Sequence, residues 1–312
     1  MKKTILTGLQ PTGNIHIGVY LGTMINWKRY IEEYNCYFFI ADLHSMTIDL
    51  SPEKRNEYVK EIVVTTLALG VDPDKCTFFL QSDLREHTEL TWYFNCVTPI
   101  SFLERMTQFK DKSVKNAKNI NAGLMGYPVL QAADILMYDT DLVPVGIDQV
   151  QHVELTRDVA KFFNNRYGEA FKETKPLLTE MAKVMSLTHP EEKMSKSDSN
   201  SKATIFLFDE PEVIMDKIKK ATADELGLKN LYSLAEIFIE GFNKADYKDN
   251  NLKLKTELAT AIADHFADFR AKRKEWLKKD KEIEKILELG AEKARKIAQK
   301  KMIEVRKKVG LR

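Results

Sequence analysis

Short runs of apolar residues alternate with longer amphipathic stretches through the first half of the chain. Residues 5–9, 36–40 and 77–80 have the length and the aromatic or β-branched content of buried strands, and each is followed by helical periodicity. Ser51-Pro52-Glu53 opens one of these helices, with Ser51 as N-cap and Pro52 in the first helical position. Val71-Asp72-Pro73-Asp74 then turns the chain back towards a strand. Residues 107–123 are polar and lysine-rich (Gln108, Lys110, Asp111, Lys112, Lys115, Lys118) and read as an exposed loop. Structured patterns resume with a helix over 130–137, a strand over 142–145 and a helix over about 149–163. Residues 186–203, rich in Ser, Lys and Glu, read as a flexible loop and a boundary. Beyond residue 210 strand patterns vanish, and helices are predicted over 211–220, 231–242, 252–278 and 282–309.

Strand–helix alternation of this kind predicts an α/β fold: a Rossmann-like, doubly wound parallel sheet with helices on both faces. An all-helical C-terminal part would follow it. The expected division is 1–203 and 204–312, with the last helix packing back on the first domain.

At 312 residues the chain can bury a large core. Its net charge of +2 hides an asymmetry. From residue 251 onward 19 Lys and Arg face 10 Asp and Glu, so that segment carries +9 and the rest −7. A basic helical tail suggests contact with a polyanion, although a solvated helix surface has the same composition. Cys36, Cys76 and Cys96 are isolated, with no C-x-x-C spacing, which argues against zinc, iron–sulfur or disulfide frameworks. All three are expected as buried core thiols in a reducing cytoplasm. No apolar run reaches membrane-spanning length, and the start is too short in apolar residues for a signal peptide.

Two runs 180 residues apart carry candidate chemistry. His16-Ile17-Gly18-Val19 sits where the first strand turns into a helix, inside the segment that begins Gly8-Leu9-Gln10-Pro11-Thr12-Gly13. Glycine there lets backbone and phosphate approach closely, and a helix start offers unpaired N–H groups to an anion. Lys193-Met194-Ser195-Lys196-Ser197 is a loop whose lysines can close over phosphates and spread their developing charge. Together they read as a site for nucleotide α-phosphate chemistry. Gly146 and Asp148 follow an apolar strand, where an acidic residue can take a ribose hydroxyl, although an ordinary N-terminal cap looks the same. Glu154, Arg157 and Asp158 fall at helical intervals and read as surface or interface ion pairs. Asp134 lies on an otherwise apolar helix, costly to bury unpartnered, and reads as a specificity carboxylate awaiting a donor from a ligand. Asp42 and His44 place polar groups at another strand end.

On these segments the chain closely resembles the bacterial tryptophanyl-tRNA synthetases, within the class I aminoacyl-tRNA synthetases. The likeness runs almost end to end, from the P-T-G-x-x-H-I-G segment through Ala41–His44, Gln108–Ser113, Tyr127–Pro128, Asp134–Leu136, Pro144–Arg157 and the KMSKS loop to Gly290–Arg295. The H-I-G and K-M-S-K-S pair marks class I, and the block from Val145 to Arg157 points to the tryptophan branch. The resemblance implies that tryptophan and ATP, with magnesium, form tryptophanyl-adenylate and pyrophosphate. The aminoacyl group then passes to the terminal ribose of tRNA-Trp. It implies Gln10, Thr12, His16 and Gly18 at the ATP site, Gly146 and Asp148 at the ribose, and Gln149 at the amino-acid end. Lys112, Lys193, Met194, Ser195 and Lys196 would hold the triphosphate. Asp134 would accept the indole N–H, with Leu6, His44, Tyr127, Gln131, Val143 and Val145 around the amino acid. The metal would come with ATP rather than sit on a protein ligand set.

The resemblance further implies a homodimer and an anticodon-reading role for the basic helices. Phe94, Val97, Ile100, Phe102 and Leu103 can supply an apolar interface, or can be core. Three positions depart from the family pattern: Val19 where a polar residue is usual, Gln131 where many relatives carry Met, and Leu6 in place of an aromatic. Three alternatives stay open: a tyrosyl-tRNA synthetase, another adenylyl-transferring enzyme that shares only the H-x-G-H-like turn, and a catalytically silent tRNA-binding paralogue.

Overall fold

The computed structural model describes residues 2–107, 121–178, 183–196 and 200–312. Strand β1 (Thr4–Leu9) leads into the short helix α1 (Ile17–Gly22), then α2 (Trp27–Glu33), β2 (Asn35–Ile40), α3 (Pro52–Ala68) and β3 (Thr77–Leu80). Helices α4 (Glu86–Asn95), α5 (Ile100–Glu104) and α6 (Ala122–Met137) precede β4 (Leu142–Val145), α7 (Val150–Tyr167) and β5 (Lys175–Leu178). Five further helices follow: α8 (Pro211–Lys220), α9 (Glu225–Phe238), α10 (Asn251–His265), α11 (Ala267–Trp276) and α12 (Asp280–Val309).

All five strands pair in parallel in the order β3-β2-β1-β4-β5. Successive side chains of a strand leave on opposite faces, so the alternation divides the core in two. Ile5, Leu9, Cys36, Phe38, Ile40 and Phe78 pack on one face with α2, α3 and residues of α8 to α11. Leu6, Tyr37, Phe39, Phe79, Val143 and Val145 pack on the other with α4, α6, α7 and α12. The helices beyond residue 210 therefore share both cores with the sheet. No described helix is long and apolar enough to cross a membrane.

The first four strands and the N-cap of α3, where Ser51 accepts from the Lys54 N–H, lie where the sequence predicts them. Several expectations are corrected. Cys36 and Cys76 are buried, and burial pushes both thiols up to about 12, but Cys96 is exposed at the end of α4. The loop expected to run to residue 123 gives way earlier, because Asn121 caps α6 by accepting from the Leu124 N–H. The helix expected over 231–242 is α9, drawn forward to Glu225 by the Asp224 cap. The helix expected over 252–278 is two: Phe266 leaves helical geometry, with its ring buried against Tyr20 and Phe238. Phe94 and Leu103 belong to the core, Phe94 meeting Phe163 and Phe171 edge-on at 5.9 and 5.0 Å. Ile100 and Trp92 are exposed.

Candidate active site

In a sheet ordered β3-β2-β1-β4-β5 the winding reverses between β1 and β4, and ligands enter open α/β sheets at the carboxyl ends of the strands flanking that point. A cavity of about 450 Å³ lies there. Leu6 on β1, His44 after β2, Tyr127, Gln131 and Asp134 on α6, Val143 and Val145 on β4, and Gln149 just beyond all line it. Those are the eight positions for which the resemblance implied amino-acid contact. Gln10 and Gly146 line it as well. Apolar side chains (Leu6, Phe39, Ile135, Val143, Val145) form much of the wall, beside polar groups that include Gln10, His44, Gln131 and Asp134. Gln10 Nε2 donates to the His44 carbonyl at 2.7 Å, tying the turn after β1 to the segment after β2. The Tyr127 hydroxyl lies 3.1 Å from His152 Nε2, and burial holds the phenol up at about 12, so it stays protonated.

Asp134 is fully buried, yet it does not await its first donor, which corrects the sequence reading. Gln81 Nε2 donates to both carboxylate oxygens at 2.8 and 2.9 Å. His87 Nδ1 stands 2.6 Å from Oδ1 and His44 Nε2 2.8 Å from Oδ2. Burial pushes the carboxyl up, but the hydrogen bonds from His44 and His87 outweigh it and hold Asp134 below the ordinary carboxylate range. The cavity therefore contains a charged acceptor at neutral pH. Gln81 and His87 had no sequence signal beyond their place. Gln81 follows the end of β3, the same strand-end rule that singled out Asp42 and His44. Asp42 itself is structural, accepting from the Leu43 and Ser82 N–H groups at 3.0 Å each.

The second locus is the turn from β1 into α1, beside the loop at 193–196. Gly13 adopts φ +145°, and a Cβ there would stand 3.2 Å from Lys196 Cβ, so both backbone and space require glycine. His16 caps α1, its Nδ1 accepting from the Gly18 N–H at 3.2 Å. Burial first, and then Lys196 and Lys193, bring its imidazole down to about 4, so it is neutral at pH 7. With Nδ1 accepting, the proton sits on Nε2.

Backbone pairing holds the loop in place. Met185 bridges Lys193, the Met194 N–H donates to the Val184 carbonyl at 3.0 Å, and Thr204 Oγ1 donates to the Ser195 carbonyl at 2.9 Å. His16 bridges Phe206, and the Ile17 N–H donates to the Ile205 carbonyl at 3.0 Å, which draws the two distant runs together. Met194 is buried as an anchor, Ser195 and Lys196 are half-buried and Lys193 is exposed. Desolvation lowers the Lys196 ammonium to about 8. Thr12 lies on the same turn, its N–H donating to the Gln10 carbonyl at 3.0 Å. Lys112 and the side chain of Asp148 lie outside what is described. Arg157 pairs with Glu173, as expected of a surface group.

An apolar slot with one buried anionic acceptor thus lies near a turn flanked by two lysines. This arrangement can hold a flat apolar group bearing a donor while cationic groups await an anion at the mouth.

Comparison with known proteins points the same way. The family described as "tRNA synthetases class I (W and Y)" matches residues 2–305. The tryptophan–tRNA ligase of Rickettsia conorii is 43% identical over 99% of each chain, and that of Clostridium tetani 40% identical over 99% of this chain and 96% of its own. The tryptophanyl-tRNA synthetase of Campylobacter jejuni, solved with ADP and tryptophan, superposes with a TM-score of 0.85 at 36% identity, covering 99% of this chain and 100% of that one. The Mycoplasma pneumoniae tryptophanyl-tRNA synthetase gives a TM-score of 0.88 at 32% identity, over 100% and 99% of the two chains.

Proposed function

The chain belongs to the class I tRNA synthetases of the tryptophan and tyrosine family, and on that footing we propose that it is a tryptophan–tRNA ligase acting in the cytoplasm. One observation carries the choice of substrate: a largely apolar cavity in which, among the described residues, Asp134 is the one carboxylate presented to whatever fills it. Relatives at 40–43% identity that are named tryptophan–tRNA ligases support it.

The indole occupies the slot between Leu6, Val143 and Val145, with its N–H directed at Asp134. Asp134 already accepts from Gln81 and faces His87 and His44, so an amino acid without the N–H forgoes one further hydrogen bond to a charged acceptor. The tryptophan carboxylate attacks the α-phosphorus of MgATP. One P–O bond forms, the bond to pyrophosphate breaks, and tryptophanyl-adenylate results. In-line displacement needs alignment and neutralisation of the departing charge more than proton transfer.

Neutral His16 offers its Nε2–H to a phosphate oxygen. Gly13 and Gly18 keep side chains out of the path of the nucleotide, and Gln10 and Thr12 shape the turn. Gly146 and Asp148 take the ribose, and Gln149 faces the amino group. Lys193, Ser195 and Lys196, with Lys112, bear on the pyrophosphate. Magnesium enters as part of the nucleotide substrate. In the second step the terminal adenosine hydroxyl of tRNA-Trp takes the aminoacyl group and releases AMP.

Amino-acid-dependent ATP–pyrophosphate exchange, run with tryptophan, tyrosine and phenylalanine side by side, tests the reading. Exchange with tryptophan alone is expected. Exchange with tyrosine would move the chain to the sister branch, and silence with all three would leave only a tRNA-binding protein.

The basic helices supply the tRNA contacts, and the half-exposed apolar surface around Ile100 and Phe102 supports a homodimer. Lys278, Lys281 and Lys285 are exposed at the α11–α12 junction and along α12. Phosphate contacts dominate such interfaces, at a log–log salt slope of about −0.9 per phosphate on duplex. The triple Lys→Glu variant should therefore lose tRNA charging while keeping pyrophosphate exchange. Equal loss in both assays would refute this division of labour.

A further inference from the structure

Behind Asp134, away from the cavity, stands a chain of buried polar groups that the proposed reaction does not use. His87 on α4 is fully buried, with Nδ1 2.6 Å from Asp134 Oδ1 and Nε2 2.8 Å from the Tyr138 hydroxyl. Tyr138, just past the end of α6, is buried too. Its ring stacks on Tyr37 at 4.6 Å and meets Phe79 edge-on at 5.9 Å. Gln81, also fully buried, completes the set.

The charge on Asp134 governs how the protons in this chain are arranged. Burial raises the Tyr138 phenol well above its ordinary range, so it keeps its proton. The described partner of that hydroxyl is His87 Nε2, 2.8 Å away. Nδ1 faces the Asp134 carboxylate at 2.6 Å and so carries a proton, and in the neutral imidazole Nε2 is then the acceptor for the Tyr138 hydroxyl. The opposite tautomer would set a lone pair of Nδ1 against the carboxylate. Gln81 obeys the same constraint. Its Nε2 serves both carboxylate oxygens, while its Oε1, buried, has no described partner. Flipping the amide would place that oxygen against the carboxylate, so the charge on Asp134 dictates the orientation and leaves an orphaned acceptor, ordinarily a costly arrangement. His44 differs from these groups. It lines the cavity and its side chain keeps partial exposure, whereas His87 has none.

We propose that His87 and Tyr138 are positioning residues for substrate discrimination. The Tyr138 hydroxyl supports this tautomer of His87, and His87 with Gln81 holds Asp134 ionised with Oδ2 turned to the cavity. The proposal rests on the tryptophan reading and deepens it, since it says how an acceptor buried in an apolar wall stays a strong and singly oriented acceptor. A hydrogen bond to a charged group contributes more than one between neutral groups, and its loss from a buried carboxylate frees that group to turn or to take up a proton.

The test compares tryptophan with 3-benzothienylalanine, which keeps the bicyclic shape and replaces the indole N–H by sulfur. Tyr138→Phe removes one oxygen and keeps the stacked ring, and His87→Leu removes the donor outright. His87→Asn is the conservative variant, because its amide nitrogen takes the place of Nδ1. Tyr138→Phe and His87→Leu should each reduce the preference in kcat/KM for tryptophan over the sulfur analogue by about tenfold, the scale of one hydrogen bond to a charged group. KM for tryptophan should carry the change and KM for ATP should stay level, while His87→Asn should recover most of the preference.

If Tyr138→Phe and His87→Leu lower exchange with both amino acids equally, or leave the preference intact, the positioning role is wrong. Thermal melts select variants that remain folded, and Tyr138→Phe, the milder change, decides the matter if His87→Leu unfolds. Wild-type protein run alongside separates the two readings. If it does not exchange with tryptophan, the substrate assignment fails. If it does and the variants keep its preference, only this inference fails.

Discussion

Replacing Lys196 by alanine should lower tryptophan-dependent pyrophosphate exchange by about 10²–10³-fold, the usual loss when one preorganised charge-stabilising donor is removed. KM for tryptophan should change little, because the side chain lies against Gly13 at the turn and does not line the amino-acid cavity. The same residue predicts a pH dependence with a definite sign. Desolvation lowers the ammonium to about 8, so it is charged below that pH and neutral above it. In the free enzyme kcat/KM for ATP should therefore fall along an alkaline limb near pH 8. Bound phosphates favour the ammonium, so the limb in kcat should lie higher. Lys196→Arg retains its charge throughout this range and should lose the limb while keeping part of the rate, since a planar fork replaces a point charge. A rate for Lys196→Ala within threefold of wild type, or an alkaline limb that survives in Lys196→Arg, would remove this lysine from the chemistry.

The reason Lys196 could be singled out at all is that its loop carries five consecutive residues of specific chemistry. What no local pattern can show is that the loop reaches Gly13: that contact depends on the pairing of His16 with Phe206 and Ile17 with Ile205, across nearly 190 residues. The strands that position the cavity were readable because each is a short continuous apolar run buried on both faces. β5 escaped because Lys175-Pro176-Leu177-Leu178 is four residues long and contains a proline. At the sheet edge Pro176 can pair with Val143 and still leave its missing N–H on the open side.

The break at Phe266 is likewise tertiary. Nothing in 252–278 interrupts helical periodicity, and the chain turns there because the Phe266 ring is needed in the core beside Tyr20 and Phe238. Asp134 shows both sides of the matter. Its presence on an apolar helix is visible at once as an expense needing a partner. The partners, 47 and 53 residues earlier, come together with it only when β3 and α4 pack against α6.

Gly290→Ala should be the most destabilising single methyl in the molecule's C-terminal helices, at about 3 kcal/mol or more, the upper range for overpacking. A Cβ at this position would lie 1.7 Å from the Phe78 carbonyl oxygen and 2.6 Å from its carbon, and backbone cannot swing aside as a side-chain tip would. α12 crosses β3 here on a stripe of small residues, with Ala291, Ala294 and Ala298 buried beside it. Its far end is fixed by the paired contact of Arg306 with Glu89, at 2.7 and 2.5 Å, and by Lys301 on Asp139 at 2.8 Å. The helix therefore cannot retreat from the strand without straining those ties.

Gly126→Ala is the control. It lies within α6 with nothing inside 4 Å of the added carbon, so alanine there should stabilise by about 0.5–1 kcal/mol through helix propensity. Thermal or denaturant unfolding of the two variants should give shifts of opposite sign, and equal shifts would mean that α12 does not press on β3 as described. The strand under pressure ends at Leu80, next to Gln81, the amide that serves both oxygens of Asp134. At a temperature where Gly290→Ala is still folded, its KM for tryptophan should therefore rise while KM for ATP holds, because the His16 turn pairs with Ile205 and Phe206 and the Lys193–Lys196 loop with Val184 and Met185, none of them on β3.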